Sequence, residues 1–176
     1  MRIEDDIKLD YCDVLIRPKR SVLESRKNVD LNRTFKFKNG KEWTGIPIVA
    51  ANMDTVGTIE MARVMSENDM LTCLSKHISN WPTDEDWKDS NMAVSFGMGE
   101  QDEISLLTSE GALVTSEYAA FKDFFCLDVA NGYTQRFIDF VKDVRKNWPE
   151  KIIIAGNVAT SEMTEALLLA GADIIK

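Results

Sequence analysis

The chain has 176 residues, 44% of them hydrophobic and 28% charged, which suits a single soluble domain with a sizeable core and not a disordered or fibrous chain. A formal net charge of −8 argues against a generic nucleic-acid binder, whose basic surface must neutralise phosphates. No apolar run approaches the roughly 20 residues that span a bilayer, and Met1–Asp10 lacks an apolar signal core, so no membrane partner is expected. Cys12, Cys73 and Cys126 are too few and too scattered for a disulfide framework or a zinc site. They are expected as reduced thiols packed in a core, with the cytoplasm as the default compartment.

In chain order, Asp13–Ile16 and Thr34–Phe37 read as a small separate pair of strands. Apolar runs of strand length then follow at Ile46–Met53, Leu71–Leu74, Met92–Phe96, Asp123–Val129 and Lys151–Val158, with a short last run at Ala172–Lys176. Helical spacing fills the gaps. A short helix over Ile59–Asn68 follows the first run. Weaker helical patterns lie at Asp84–Lys88 and Glu100–Leu107, while Gly111–Ala120 fits neither period. In Tyr133–Trp148 the apolar Tyr133, Phe137, Val141, Val144 and Trp148 recur three or four apart, and Pro149 stops the helix. In Ser161–Ala170 the stripe is Met163, Ala166, Leu167 and Ala170, with Thr160 as N-cap and Gly171 as C-terminal stop.

Strands alternating with helices mean βα units and a parallel sheet, and the strands are near-continuously apolar, as expected when helices cover them. Each becomes polar or glycine-containing at its C-terminal end: Asn52 and Asp54, Lys76 and His77, Ser95 and Gly97, Asp128 with Asn131 and Gly132, Gly156 and Asn157. That is the active-site edge of a (β/α)8 barrel, and the runs are expected as adjacent parallel strands with Asn52, Lys76, Asp128 and Asn157 along one rim. An open doubly wound sheet also binds ligands there, but the first βα turn, Asn52–Gly57, has no Gly-x-Gly-x-x-Gly fingerprint.

Several blocks carry a family resemblance. Asp13-Val14-Leu15-Ile16-Arg17-Pro18-Lys19-Arg20-Ser21, within Leu9–Ser21, resembles the opening of the GMP reductases. So do Ala50-Ala51-Asn52-Met53-Asp54-Thr55-Val56-Gly57, Asp128-Val129-Ala130-Asn131-Gly132-Tyr133, Ala155-Gly156-Asn157-Val158 and Gly171-Ala172-Asp173-Ile174-Ile175-Lys176. The blocks run in register through essentially the whole chain. IMP dehydrogenase shares Met53-Asp54-Thr55-Val56 but usually carries a large regulatory insertion between the second helix and third strand, where only Ser79–Asn91 is available. The resemblance therefore favours the reductase, with an IMP dehydrogenase-like oxidoreductase as the alternative.

The resemblance implies a (β/α)8 barrel and NADPH-dependent conversion of GMP to IMP with release of ammonia. In that family a cysteine attacks C2 of the purine, ammonia leaves, and a hydride reduces the covalent intermediate. By motif position, Met53 and Asn157 are substrate-binding, the first against the purine and the second near the nucleotide. Ser25 and Arg26 match positions that touch the dinucleotide, from a neighbouring subunit. Lys76 and Asp128-Val129-Ala130 match the nicotinamide side, with Lys76 and Asp128 as the catalytic pair that polarises and relays protons. Each has a plainer alternative: core packing for Met53, turn or helix capping for Asn157 and Asp128, a surface salt bridge for Lys76, and solvation for Arg26. His77, the only histidine, is expected in a supporting role.

Two departures bear on function. Phe96 and Met98 in Ser95-Phe96-Gly97-Met98-Gly99 stand where the family usually has small or hydroxylated residues, which questions the local ligand fit. The family's catalytic cysteine lies on a glycine-rich loop just after the sixth strand, beyond Lys176, as do the potassium-binding loop, the phosphate-gripping loops and the acid/base flap. The expected organisation is thus residues 1–45 as N-terminal arm and strand pair and residues 46–176 as the first βα units of an incomplete barrel, itself inactive. A barrel needs about 200 to 400 residues to close. A complementary C-terminal half, a homo-oligomer (a homotetramer when complete), an inactive relic paired with an intact reductase, and a piece of an ordinary reductase are the open readings.

Overall fold

A computed structural model describes residues 7, 9–78, 91–98 and 122–176. The helical patterns at Asp84–Lys88 and Glu100–Leu107 and the unassigned Gly111–Ala120 lie outside the described residues. The chain divides into two units, Met1–Asp30 and Leu31–Lys176.

In the first unit no strand forms at Asp13–Ile16, which corrects the expected pairing with Thr34–Phe37. Instead Tyr11–Asp13 is a 3₁₀ turn. The Asp10 carboxylate accepts the Tyr11 N–H at 2.7 Å, and Asp13 accepts the Asp10 N–H at 2.9 Å. These local acceptors outbid a ladder, as short acidic side chains do at turns. A second 3₁₀ turn, Arg26–Asn28, is capped by Ser25, whose Oγ accepts the Lys27 N–H at 3.2 Å.

In the second unit, β1 (Arg33–Lys36) pairs antiparallel with β2 (Glu42–Gly45), so the true partner of the Thr34–Phe37 run is Glu42–Gly45. Gly40, at φ +83°, makes the turn between them. Then β3 (Val49–Ala50), β4 (Leu71–Cys73), β5 (Met92–Phe96), β6 (Phe124–Asp128), β7 (Ile152–Gly156) and β8 (Ile174–Ile175) form one parallel sheet in sequence order. Strand β3 is far shorter than its apolar run. Pro47 has no N–H to donate, and the Ile46 N–H goes to Asp69 O at 2.8 Å, outside the ladder.

The helices follow the predicted stripes. Helix α1 (Ile59–Glu67) is capped by Thr58, α2 (Gln135–Asn147) by Thr134 and α3 (Ser161–Ala170) by Thr160; Gly171, left-handed at φ +114°, ends α3. Strand alternation divides the apolar residues between two faces. Phe125, Leu127, Ile153 and Ala155 pack against Phe137, Phe140, Val141 and Val144 of α2 and Leu167 of α3. Leu71, Cys73, Ala93, Phe124, Cys126, Ile152 and Ile154 form the inner face with Ile174, and Phe37 and Trp43 from the hairpin pack on it. Complete burial of a side chain such as Phe125 or Phe137 contributes about 1.5–3 kcal/mol.

One clamp ties α2 to the sheet. Arg145 donates to Gly171 O at 2.9 Å and Lys151 O at 2.7 Å and pairs with Asp173, whose side chain is buried. Asp173 in turn accepts the Ile153 N–H at 2.9 Å. The buried carboxylate is therefore both neutralised and hydrogen-bonded, the condition under which burying a charge is tolerable.

Candidate functional site

Because all six strands run parallel, their C-terminal ends lie on one edge, and the polar residues named from the sequence collect there. Asp128 ends β6, Lys76 follows β4, Asn157 follows β7 and Asn52 follows β3. Lys176, immediately after β8, donates from Nζ to Asn52 Oδ1 at 2.7 Å and forms an ion pair with Asp128. In a flat sheet β3 and β8 would stand five strand spacings, about 24 Å, apart. No lysine and asparagine side chains span that distance, so the sheet curls until its first and last strands face each other across the inner face.

Asp128 is the electrostatic centre of this rim. Burial pushes its pKa upward, but hydrogen bonds from Lys176 and Asn52 and the positive charges of Lys176 and Lys76 outweigh it, holding the carboxyl below its ordinary range. The anticipated Lys76–Asp128 pair is thus brought together through space, while the direct ion pair is with Lys176. Lys76 is exposed and lies over Gly97, its Nζ 3.5 Å from where a Cβ there would stand. Asp128 caps no helix: α2 begins on Thr134, whose Oγ1 accepts the Phe137 N–H, and Asn131 Oδ1 accepts the Tyr133 N–H.

Backbone bonds fix the neighbouring segment. Val129 N donates to Gly156 O at 2.8 Å, Asn157 N to Val129 O at 3.0 Å, and Gly132 N to Asn157 O at 3.0 Å. A Cβ on Gly132 would stand 2.8 Å from Asn157 O, and one on Gly156 only 2.2 Å from Lys176 O. These glycines let adjacent strand ends approach, which carries Lys176 to the rim. On the other side of the rim, Ser75 donates to Asp54 at 2.7 Å and its N–H to Gly57 O at 2.8 Å, tying the β3 turn to β4.

Met53 is 61% exposed, so core packing does not account for it. Asn157 and Ala130 are exposed and Val129 half-buried. His77 is exposed in a turn, its N–H donated to Ser75 Oγ. Ser25 and Arg26 belong to the first unit and are exposed there. Phe96 stacks edge-on against Phe125 at 5.2 Å and, with Met98, packs on the helix-side core, away from the inner face. Phe96 and Met98, which depart from the family pattern, are therefore packing residues.

The cysteines divide. Cys12 is exposed, correcting the expectation of a buried thiol, because its 3₁₀ turn buries no residue. Cys73 and Cys126 are buried on the inner face beneath the rim. A hydrogen bond shared with Cys126, together with burial, pushes the Cys73 thiol up, the opposite of what a nucleophilic thiolate requires. Among the described residues no cluster of three or more His, Cys, Asp or Glu could hold a metal ion, and no helix is long and apolar enough to cross a membrane.

Sequence reasoning did not single out Lys176. The signal was present, since the rule that flagged the other strand ends applies equally to the last residue of Ala172–Lys176.

The chain matches the family described as IMP dehydrogenase / GMP reductase domain over residues 8–176. It is 52% identical to GMP reductase 1 of Homo sapiens, covering 99% of this chain and 51% of that protein. It is 48% identical to GMP reductase of Enterobacter sp. (strain 638), covering 100% of this chain and 51% of the relative. Among solved structures it is similar to inosine 5′-monophosphate dehydrogenase from Legionella pneumophila, with a TM-score of 0.68 and 29% identity over 93% of this chain and 48% of that one. The chain spans about half the length of the curated relatives it matches. Its curled parallel sheet with outer helices is accordingly the first part of a (β/α)8 barrel. The chain belongs to the IMP dehydrogenase / GMP reductase family.

Proposed function

We propose that these residues form the nicotinamide-facing wall and part of the purine-facing wall of a GMP reductase. In that reaction GMP and NADPH, with two protons, give IMP, NADP⁺ and ammonium. The observation that carries the proposal is 52% and 48% identity to proteins named GMP reductase across nearly the whole chain, against 29% for the IMP dehydrogenase structure.

The donor set suits the nicotinamide end of a dinucleotide: an exposed cation, Lys76, beside an ionised carboxylate, Asp128, with Val129 and Ala130 alongside. NADPH, when bound, supplies the hydride. Asp128 orients the reacting groups and passes protons with Lys76, whose positive charge favours the ionised carboxylate. Met53 offers an exposed apolar side chain to the purine face, and the exposed amide of Asn157 meets the nucleotide. Ser25 and Arg26 reach a dinucleotide from a neighbouring subunit of a homo-oligomer. Potassium belongs to a loop beyond these residues, and the compartment is the cytoplasm.

The test is an assay of residues 1–176 together with a polypeptide supplying the second half of the barrel, with GMP and NADPH, following oxidation of the reduced cofactor and release of ammonia together. Coupled loss of NADPH and appearance of ammonia is expected. Oxidation of IMP with NAD⁺ in place of that reaction would sink the reductase assignment. Residues 1–176 by themselves should turn over no GMP, because Cys73 and Cys126 are buried, and neither they nor the exposed Cys12 stand on the loop after the sixth strand where the family's nucleophile sits. A polypeptide supplying the second half of the barrel should restore turnover.

A further inference from the structure

We propose that Lys176 is a positioning residue: its ammonium, bridging Asn52 and Asp128, locks the carboxylate in place and leaves Lys76 available to the dinucleotide. This deepens the reductase proposal and rests on it for its enzymological half.

The geometry gives the two lysines different tasks. Lys176 follows β8 and reaches both Asn52 beyond β3 and Asp128 at the end of β6, so one side chain joins three strands. Its own backbone is seated against Gly156, where any side chain would collide with Lys176 O. The Lys176 side chain is 31% exposed and that of Asp128 21%, so the pair is partly shielded from water and stronger than an ordinary surface contact. Lys76 is exposed and acts on the carboxylate through its field alone. Without Lys176, Asp128 would keep its burial and lose its direct counter-charge. Lys76 would then be drawn into pairing with it, away from the position in which it can meet a ligand.

The groups facing Asp128 define the expected pH behaviour. They are Lys176 after β8, Asn52 after β3, Lys76 and the Cys73 thiol on the β4 side, and Cys126 on β6 itself. The two lysines and the amide favour the carboxylate, whereas burial opposes it. The carboxyl is therefore ionised above its lowered pKa and protonated only as pH falls through it. Removing Lys176 removes the leading favourable partner and moves that protonation to higher pH, by about 1–3 units for loss of an adjacent opposite charge.

The experiment uses the chain with a polypeptide supplying the second half of the barrel, the chain's Lys176→Met and Lys176→Arg variants, and two readouts. The first, independent of turnover, is the titration of the Asp128 carboxyl carbon by NMR in protein labelled at aspartate. Wild type should titrate below the ordinary aspartate range, Lys176→Met at least about one unit higher, and Lys176→Arg near wild type. The second is the pH profile of kcat/KM for NADPH, whose acid limb should move upward by the same amount in Lys176→Met, with a raised KM and recovery in Lys176→Arg. An ordinary Asp128 titration in wild type, or one unmoved by Lys176→Met, would overturn the proposal. Should Lys176→Met fail to fold, the wild-type titration and Asn52→Ala decide: the latter must raise the Asp128 pKa, and no change there counts against the bridge. Absence of GMP turnover together with the expected carboxyl titrations would remove the reductase assignment and leave the positioning role standing.

Discussion

Strand β6 ends on Asp128 and is preceded by Asp123, and each aspartate has a lysine: Asp128 with Lys176 at the rim, Asp123 with Lys41 at the floor. The surroundings separate them. At the floor, the hairpin β1–β2 lays Phe37 and Trp43 edge-on to Phe124, ring centres 6.1 and 6.4 Å apart, and Asn39 donates to Glu150 O and Lys151 O. Closure there is apolar and hydrogen-bonded, and the Asp123 side chain is 59% exposed to screening water. At the rim the Asp128 side chain is only 21% exposed, and a second cation acts on it. The same residue pair thus contributes little at the floor, where water screens it and an apolar plug already covers the sheet. It governs charge where burial makes a bare carboxylate expensive.

If the floor is closed by packing, its most damaging substitution removes an apolar side chain. Phe124→Ala should cost about 3–5 kcal/mol, the range for deleting a buried phenylalanine, because it deletes the ring that both hairpin aromatics contact. Urea unfolding measures it, and turnover of the molecules that remain folded should be unchanged. A loss well under that range would mean the hairpin is not what anchors the floor.

At the rim the largest effect should fall on rate. Asp128→Ala, once a complementary half restores activity, should lower turnover by about 10²-fold or more, typical of losing an acid/base or positioning group. That is about 2.7 kcal/mol of barrier. Stability should change far less, because the ion pair is partly solvated. Equal kcat in wild type and variant would reduce Asp128 to a structural counter-ion for Lys176.

The floor and the rim also differ in how well the sequence announced them. The βα order, the helix faces and the Thr160 and Gly171 boundaries were legible, since period and cap chemistry are local. The rim was legible as a row because polar residues at apolar strand ends are conspicuous. Its wiring was not: choosing between Lys76 and Lys176 as the partner of Asp128 depends on how far the sheet curls, a property of all six strands together. The hairpin partner was missed for a related reason. Asp13–Ile16 has strand composition, but its neighbours Asp10 and Asp13 satisfy the backbone locally, whereas Glu42–Gly45 hides a strand in a short, mixed stretch. Family likeness supplied the roles proposed for Met53, Asn157, Ser25 and Arg26, which no periodicity could.

The smallest expected effect is the sharpest test of the comparison. Asp123→Ala should cost at most about 1 kcal/mol, the range for an exposed ion pair, and leave turnover intact. The backbone of Asp123 still accepts the Ile152 N–H at 2.7 Å whatever side chain it carries, so the β6–β7 ladder keeps that bond. The Lys41 ammonium, once released, sits 33% exposed and can be hydrated in place, so no buried charge is stranded. What remains is Coulombic attraction across solvent, which should shrink as salt shortens the screening length from about 30 Å at 0.01 M to about 3 Å at 1 M. A double-mutant cycle with Lys41→Met should return a coupling within that same small range and close to zero at high salt. A coupling of several kcal/mol that salt does not weaken would mean the floor pair is held as tightly as the rim pair, and the contrast between the two ends of β6 would then lie in their ligands alone.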